Sequence, residues 1–171
     1  MMRIVGLDLS LTSSGVSIDG TTRVVSSKHK GVERLSDLRQ QFTQICQESQ
    51  VTHAVIEGYS FASRNSQAHS IGELGGVVRL LLHDLGIPYI EVPPTSRAKF
   101  ATGRGNASKG EVISAISAKT GLVFSGGGGN DECDAWVLEQ MALTKLGITE
   151  WTWTKEQVSA LDKVDWSALE R

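Results

Sequence analysis

The apolar residues of this chain change their period along its length, and that change restricts the fold more than any other feature. Arg3 to Leu9 is a short run rich in branched residues, the signature of a buried strand. Val16 to Ile18 and Arg23 to Ser26 read as two more strands, joined by Asp19-Gly20, a dipeptide suited to a tight hairpin. From Val32 the step lengthens. Val32, Leu35, Leu38, Phe42 and Ile45 recur every three or four residues, which indicates a helix to about Glu48. Val51 to Ile56 is again strand-like, a long helix follows over residues 66–85, and Ile87 to Val92 is a last strand closed by Pro93-Pro94. Three early strands followed by alternating helices and strands imply a mixed α/β domain with one sheet and helices on its faces.

Beyond the prolines, residues 95–101 read as a short helix and 107–119 as another, with Ser108 and Glu111 spaced as a capping box. Gly126 to Gly129 should be mobile, and residues 131–146 form a helix with Val137, Leu138, Met141, Ala142 and Leu146 on its apolar side. The division expected is a body over 1–148 and an extension over 149–171. The extension carries Trp151, Trp153 and Trp166, too aromatic for plain disorder, and should pack on the body or on a partner. In the long helix, Ile71, Leu74, Val78, Leu81 and Leu85 form an apolar seam. Gly75-Gly76 interrupts it, and an internal glycine costs about 1 kcal/mol against alanine. That cost suggests close approach of another element, such as a second subunit. No apolar run approaches the roughly 20 residues of a membrane helix. Cys46 and Cys133 form no disulfide framework, which suits a reducing cytoplasm, and no zinc-like spacing occurs.

Net charge is −2, but it is unevenly spread. Residues 130–171 carry 4 basic against 9 acidic residues, whereas residues 1–129 carry 13 against 10. The stretch from Pro93 to Gly110 holds Arg97, Lys99, Arg104 and Lys109 with no acid, a local strip that can follow a phosphate backbone or merely be a solvated loop.

Four acids stand out by position. Asp8 and Glu57 each close an apolar strand, which places them at the lip of a sheet, where open α/β sheets bind ligands. Asp131 and Asp134 are three apart on a helix and share a face. Clustered carboxylates repel one another and need cations, and hard oxygen donors select Mg²⁺ or Mn²⁺. Two such ions, about 4 Å apart, can clamp the attacking and leaving oxygens of a phosphoryl displacement. Taken singly, each acid has a plainer reading: Asp8 as a turn residue, Asp131 as a helix N-cap, Asp134 as a partner of the helix dipole.

Together these segments resemble the RuvC-like Holliday-junction resolvases. Ile4-Val-Gly-Leu-Asp8 with Ser10 to Gly15 is similar to the family's opening motif. Val55-Ile56-Glu57 with Tyr59, Phe61, Asn65, Ala68 and the helix through Gly72 to Gly76 is similar to the second, and Asp131-Glu-Cys-Asp134-Ala135 to the third. The resemblance spans roughly residues 3–145. It implies an RNase H-like fold with a five-stranded mixed sheet flanked by helices, in a homodimer that resolves four-way DNA junctions during recombination and repair. It further implies a cytoplasmic enzyme of a bacterial or phage-infected cell. It makes Asp8, Glu57, Asp131 and Asp134 the catalytic acids holding two Mg²⁺ or Mn²⁺ ions. Lys109 would offset transition-state charge, and Tyr59, Phe61, Arg64, Lys99, Arg104 and Lys109 would contact DNA, with Phe61 preferred over Tyr59 as the aromatic at the junction centre. The chain departs from the family where Asp8-Leu9-Ser10 replaces Asp-Pro-Gly, which leaves room for cutting forks and flaps as well.

Three other readings compete. An RNase H-like nuclease of RNA or hybrids shares the acids. A non-catalytic DNA-binding protein shares the fold. The actin-like ATPases share a strand, an acid and a Thr/Gly turn, but need two such domains, and Gly103 to Lys109 lacks the residues of a P-loop.

Overall fold

The computed structural model describes residues 1–10, 12–59 and 67–170. Its sheet has five strands: β1 (Ile4–Asp8), β2 (Ser14–Ile18), β3 (Thr21–Val25), β4 (His53–Glu57) and β5 (Tyr89–Val92), in the order β3-β2-β1-β4-β5. β1, β2 and β3 pair antiparallel, whereas β4 pairs parallel to β1 and β5 parallel to β4. The mixture follows from the connections. A two-residue turn at Asp19 (φ 52°) and Gly20 (φ 74°) reverses the chain between β2 and β3. The helices α1 (Gly31–Glu48) and α2 (Gln67–Asp84) carry it back across the sheet, so the strands after them run parallel to β1.

The sheet separates two cores. On one side, Val5, Leu7, Val16, Ala54 and Ile56 pack against Leu38 and Phe42 of α1 and Leu74, Val78 and Leu81 of α2. The apolar seam of α2 is therefore spent inside the chain's own core and gives no evidence of a second subunit. Gly75 has an internal explanation too: a Cβ there would lie 2.3 Å from the Tyr59 hydroxyl. Gly76 has no atom within 4 Å of such a Cβ.

On the other side lie α3 (Pro94–Thr102), α4 (Lys109–Thr120), α5 (Gly129–Lys145) and the C-terminal segment with α6 (Lys155–Ser159). Here the backbone of α5 comes almost onto the sheet. A Cβ on Gly6 would fall 2.1 Å from the Ala135 carbonyl oxygen, and one on Gly15 would fall 1.9 Å from that of Asp131. No side chain fits at either place, so these two strand glycines set the depth of α5. Helix α5 starts two residues before the sequence suggests, with Gly128 at its N-cap, so Asp131 lies within the first turn instead of capping it. Gly128 and Gly129 also pack closely, against Val24 and Phe124. Helix α4 carries the capping box that Ser108 and Glu111 suggest.

The C-terminal residues add to this second core. The Trp153 ring centroid lies 4.3 Å from that of Phe100, and Trp151 meets Trp136 edge-on at 6.2 Å. Trp166 is buried and donates its indole N–H to the Leu161 carbonyl at 3.0 Å. No helix among the described residues is long and apolar enough to cross a membrane.

Candidate active site

Strand alternation decides where the first two acids point. Along β1, Val5 and Leu7 enter the core shared with α1 and α2, so Ile4, Gly6 and Asp8 face α5. Along β4, Ala54 and Ile56 take the same side as Leu7, so Val55 and Glu57 also face α5. The parallel register sets Leu7 beside Ile56. Asp8 and Glu57, one residue further on, are thus neighbours at the carboxyl ends of adjacent strands. Helix α5 brings Asp131 and Asp134 to them from above, because Gly15 admits its first turn against β2. Three segments distant in sequence thereby deliver four carboxylates to one place.

The electrostatics register this convergence. Asp8 is buried, and its carboxyl is pushed well above the ordinary aspartate value, first by burial and then by Glu57 and Asp134; Arg97 pulls it back, and Asp131 adds to the rise. Burial likewise pushes the Asp134 carboxyl up to about 6, against the opposing pull of Arg97, with Glu57 and Asp131 raising it and Lys109 lowering it. Asp131 is held differently: the Ser13 hydroxyl donates to its Oδ2 at 2.7 Å. A cleft of about 470 Å³ opens beside the acids, lined by Asp8, Glu57 and Asp131 and by Tyr59, Arg79 and Lys109.

Arg97 is the residue that the sequence does not single out. It sits in the first turns of α3 just past β5, and its side chain is only 8% exposed. Its Nε donates to Glu57 Oε2, and its Nη1 donates to Asp134 Oδ1 at 2.5 Å. Burial alone would lower its pKa, but Glu57 and Asp134 outweigh burial and hold the guanidinium firmly charged. A further buried acid, Glu139, also escapes notice in the sequence. It accepts from the Ser17 hydroxyl at 2.5 Å and from the Gly20 amide at 3.2 Å, which pins the β2–β3 turn to α5.

The remaining candidates are dispersed. Lys109 opens α4 at the rim of the acid cleft. Tyr59 is half exposed; its hydroxyl donates to the Gly72 carbonyl at 3.3 Å, and the Arg79 guanidinium lies 4.6 Å above its ring. Lys99 lines a separate hollow with Thr95, Gly105 and Lys163. Arg104 is exposed and pairs with Glu111 at 2.5 Å. Phe61, Arg64 and Asn65 lie outside the described residues.

In kind, the donors suit a hard divalent cation: all are carboxylates, and burial leaves their charge under-compensated by one guanidinium. Asp8, Glu57, Asp131 and Asp134 are the residues that would hold it. In spacing they are not yet a coordination shell, since no three acid, histidine or cysteine side chains among the described residues stand close enough to enclose an ion. When bound there, such a cation supplies Lewis-acid chemistry at a phosphoryl oxygen.

No family model matches the chain. It is similar to the crossover junction endodeoxyribonuclease RuvC of Synechococcus sp. (strain WH7803), with 28% identity over 133 residues, covering 71% of this chain and 85% of that protein. Among solved structures it resembles Thermus thermophilus RuvC with a TM-score of 0.69 at 18% identity, covering 88% of this chain and 100% of the other. The same protein in complex with a Holliday junction substrate gives 0.67 at 16% identity, covering 89% of this chain and 100% of that one. In sequence the chain is similar to the RuvC crossover junction endodeoxyribonucleases, and its fold, a mixed five-stranded sheet flanked by helices, is the RNase H-like fold of Thermus thermophilus RuvC.

Proposed function

We propose that this protein is a metal-dependent, structure-selective DNA endonuclease that resolves Holliday junctions by phosphodiester hydrolysis. The observation that carries the reading is the convergence of Asp8, Glu57, Asp131 and Asp134 beside an open cleft, on a chain related to RuvC. These four acids would hold two Mg²⁺ or Mn²⁺ ions and serve as the catalytic carboxylates. Lys109, at the rim, would stabilise charge developing on the scissile phosphate. Tyr59 would meet DNA from the cleft wall, with Phe61 and Arg64 following it in the chain. Lys99 and Arg104 would follow the backbone along α3 and the loop after it.

A homodimer fits this role, because symmetric cutting of a four-way junction takes two sites. Its support is the exposed face of α2, where a Cβ on Gly76 would meet no atom within 4 Å and Leu80 is exposed. The C-terminal residues 149–171 would serve as a buttress to the nuclease body over 1–148, through Trp151, Trp153 and Trp166.

The test is cleavage of labelled four-way junction, fork, RNA/DNA hybrid and linear duplex in Mg²⁺ or EDTA, by wild type and Asp8→Asn. The expected result is metal-dependent nicking of branched DNA, reduced by at least about a thousandfold in the variant while junction binding persists. Preference for the hybrid would replace this reading with a ribonuclease. Binding without cleavage of any substrate would make the chain a non-catalytic DNA-binding protein.

A further inference from the structure

We propose that Arg97 is a built-in competitor of the metal: its guanidinium occupies the place between Glu57 and Asp134, and a cation gains those carboxylates only as Arg97 releases them. The inference rests on the metal-dependent reading above and deepens it.

The two contacts join acids that come from different elements, the end of β4 and the second turn of α5. A fork of N–H donors is the group that can span them at once, and a lysine ammonium could not reproduce its planar geometry. Glu57 and Asp134 are also two of the carboxylates that would hold a divalent ion, so guanidinium and ion would draw on the same oxygens. The guanidinium is also buried, so it is part of the site's interior and not a surface ion pair borrowed from solvent.

Arg97 does only part of a metal's work. It brings one positive charge to four carboxylates, and it contacts only Glu57 and Asp134 of them. A dication brings twice the charge and can be ligated by oxygens that the guanidinium leaves open. Attraction therefore favours the metal once its concentration suffices, while repulsion between the cation and Arg97 raises that concentration. The site would be pre-gathered in the absence of metal and comparatively insensitive to trace cations.

The test is Mn²⁺ binding to metal-stripped protein without DNA, followed by the paramagnetic resonance of free Mn²⁺, for wild type, Arg97→Gln, Arg97→Lys and Asp8→Asn. Arg97→Gln is expected to bind at least about tenfold more tightly than wild type, about 1.4 kcal/mol, while melting at a lower temperature in EDTA. Arg97→Lys, which keeps the charge, should show a smaller gain. A buttressing arginine predicts the reverse, so unchanged or weakened binding in Arg97→Gln, with wild type binding, overturns the proposal alone. Absence of Mn²⁺ binding in every variant, or binding indifferent to Asp8→Asn, overturns the metal-dependent reading with it. The wild type supplies a second readout should the glutamine variant not fold. The Arg97 Nε–H resonance, held by Glu57 in EDTA, should shift or broaden as Mg²⁺ is added. Constancy of that resonance through metal saturation would also refute the competition.

Discussion

Replacing Asp134 by asparagine is expected to make the metal-free protein more stable at pH 8. Asp134 is almost wholly buried, its side chain 3% exposed, and burial pushes its carboxyl from the ordinary 3.8 up to about 6 although Arg97 pulls the other way. The sign follows from proton binding. Between the two values the folded state holds more proton than the unfolded state, so stability is full below about pH 4 and falls as pH rises toward 6. A shift of roughly two pH units corresponds to about 3 kcal/mol lost once the pH is above both values. Asparagine has nearly the same shape, keeps an oxygen for the Arg97 Nη1 donor and carries no charge to desolvate. The variant should match wild type near pH 4 and exceed it by up to about 3 kcal/mol at pH 8, or roughly 6–12 °C in melting temperature for a domain of this size. Thermal melts in EDTA from pH 4 to 8 measure this directly. Added Mg²⁺ should stabilise wild type more than the variant and narrow the difference. A variant less stable than wild type at pH 8 would refute the reasoning, because the attraction between Arg97 and Asp134 would then outweigh the burial of the charge.

Two further outcomes follow from the geometry. Gly15→Ala places a methyl 1.9 Å from the Asp131 carbonyl oxygen and should cost about 3 kcal/mol or more by lifting the first turn of α5, measured by denaturant unfolding, with cleavage lost even below the new melting temperature. Lys109→Glu should leave the melting curve within about 0.5 kcal/mol, since the residue is an exposed helix start, yet reduce junction cleavage by at least about tenfold; unchanged kinetics would make Lys109 a solvated surface residue.

Much of this architecture is legible in the sequence because it depends on local periods. The strands and helices recur near the positions that their apolar spacing indicates, and Asp19-Gly20 and Ser108/Glu111 carry their turn and cap in their own chemistry. The meeting of Asp8 and Glu57 is nearly as direct, since each closes a strand and alternation then assigns both to one face. The depth of α5 is encoded as well, though faintly. Gly6 and Gly15 interrupt strands where a side chain would be favoured, and a strand glycine signals close approach of another backbone. The seam of α2 misleads for a general reason: an amphipathic stripe shows that a helix face is covered, but its period does not say by what. Leu74, Val78 and Leu81 cover the chain's own sheet.

Arg97 marks where local reading stops. In the strip from Pro93 to Gly110 it looks like one more cation available to a phosphate backbone, and Lys99 looks equivalent to it. Two positions apart on a helix, however, they project about 200° from one another, so one helix cannot aim both at the acid cleft. The start of α3 at Pro94 fixes the phase, sending Arg97 inward to Glu57 and Asp134 and leaving Lys99 over the hollow beside Lys163. The charge of the site is similarly a tertiary sum. Four acids at positions 8, 57, 131 and 134 and one guanidinium at 97 acquire a net charge only where β1, β4, α3 and α5 meet. A pattern search finds the acids because Asp8 and Glu57 close apolar runs and Asp131 and Asp134 share a helix face. It passes over the arginine, whose burial is caused by the very carboxylates that it neutralises.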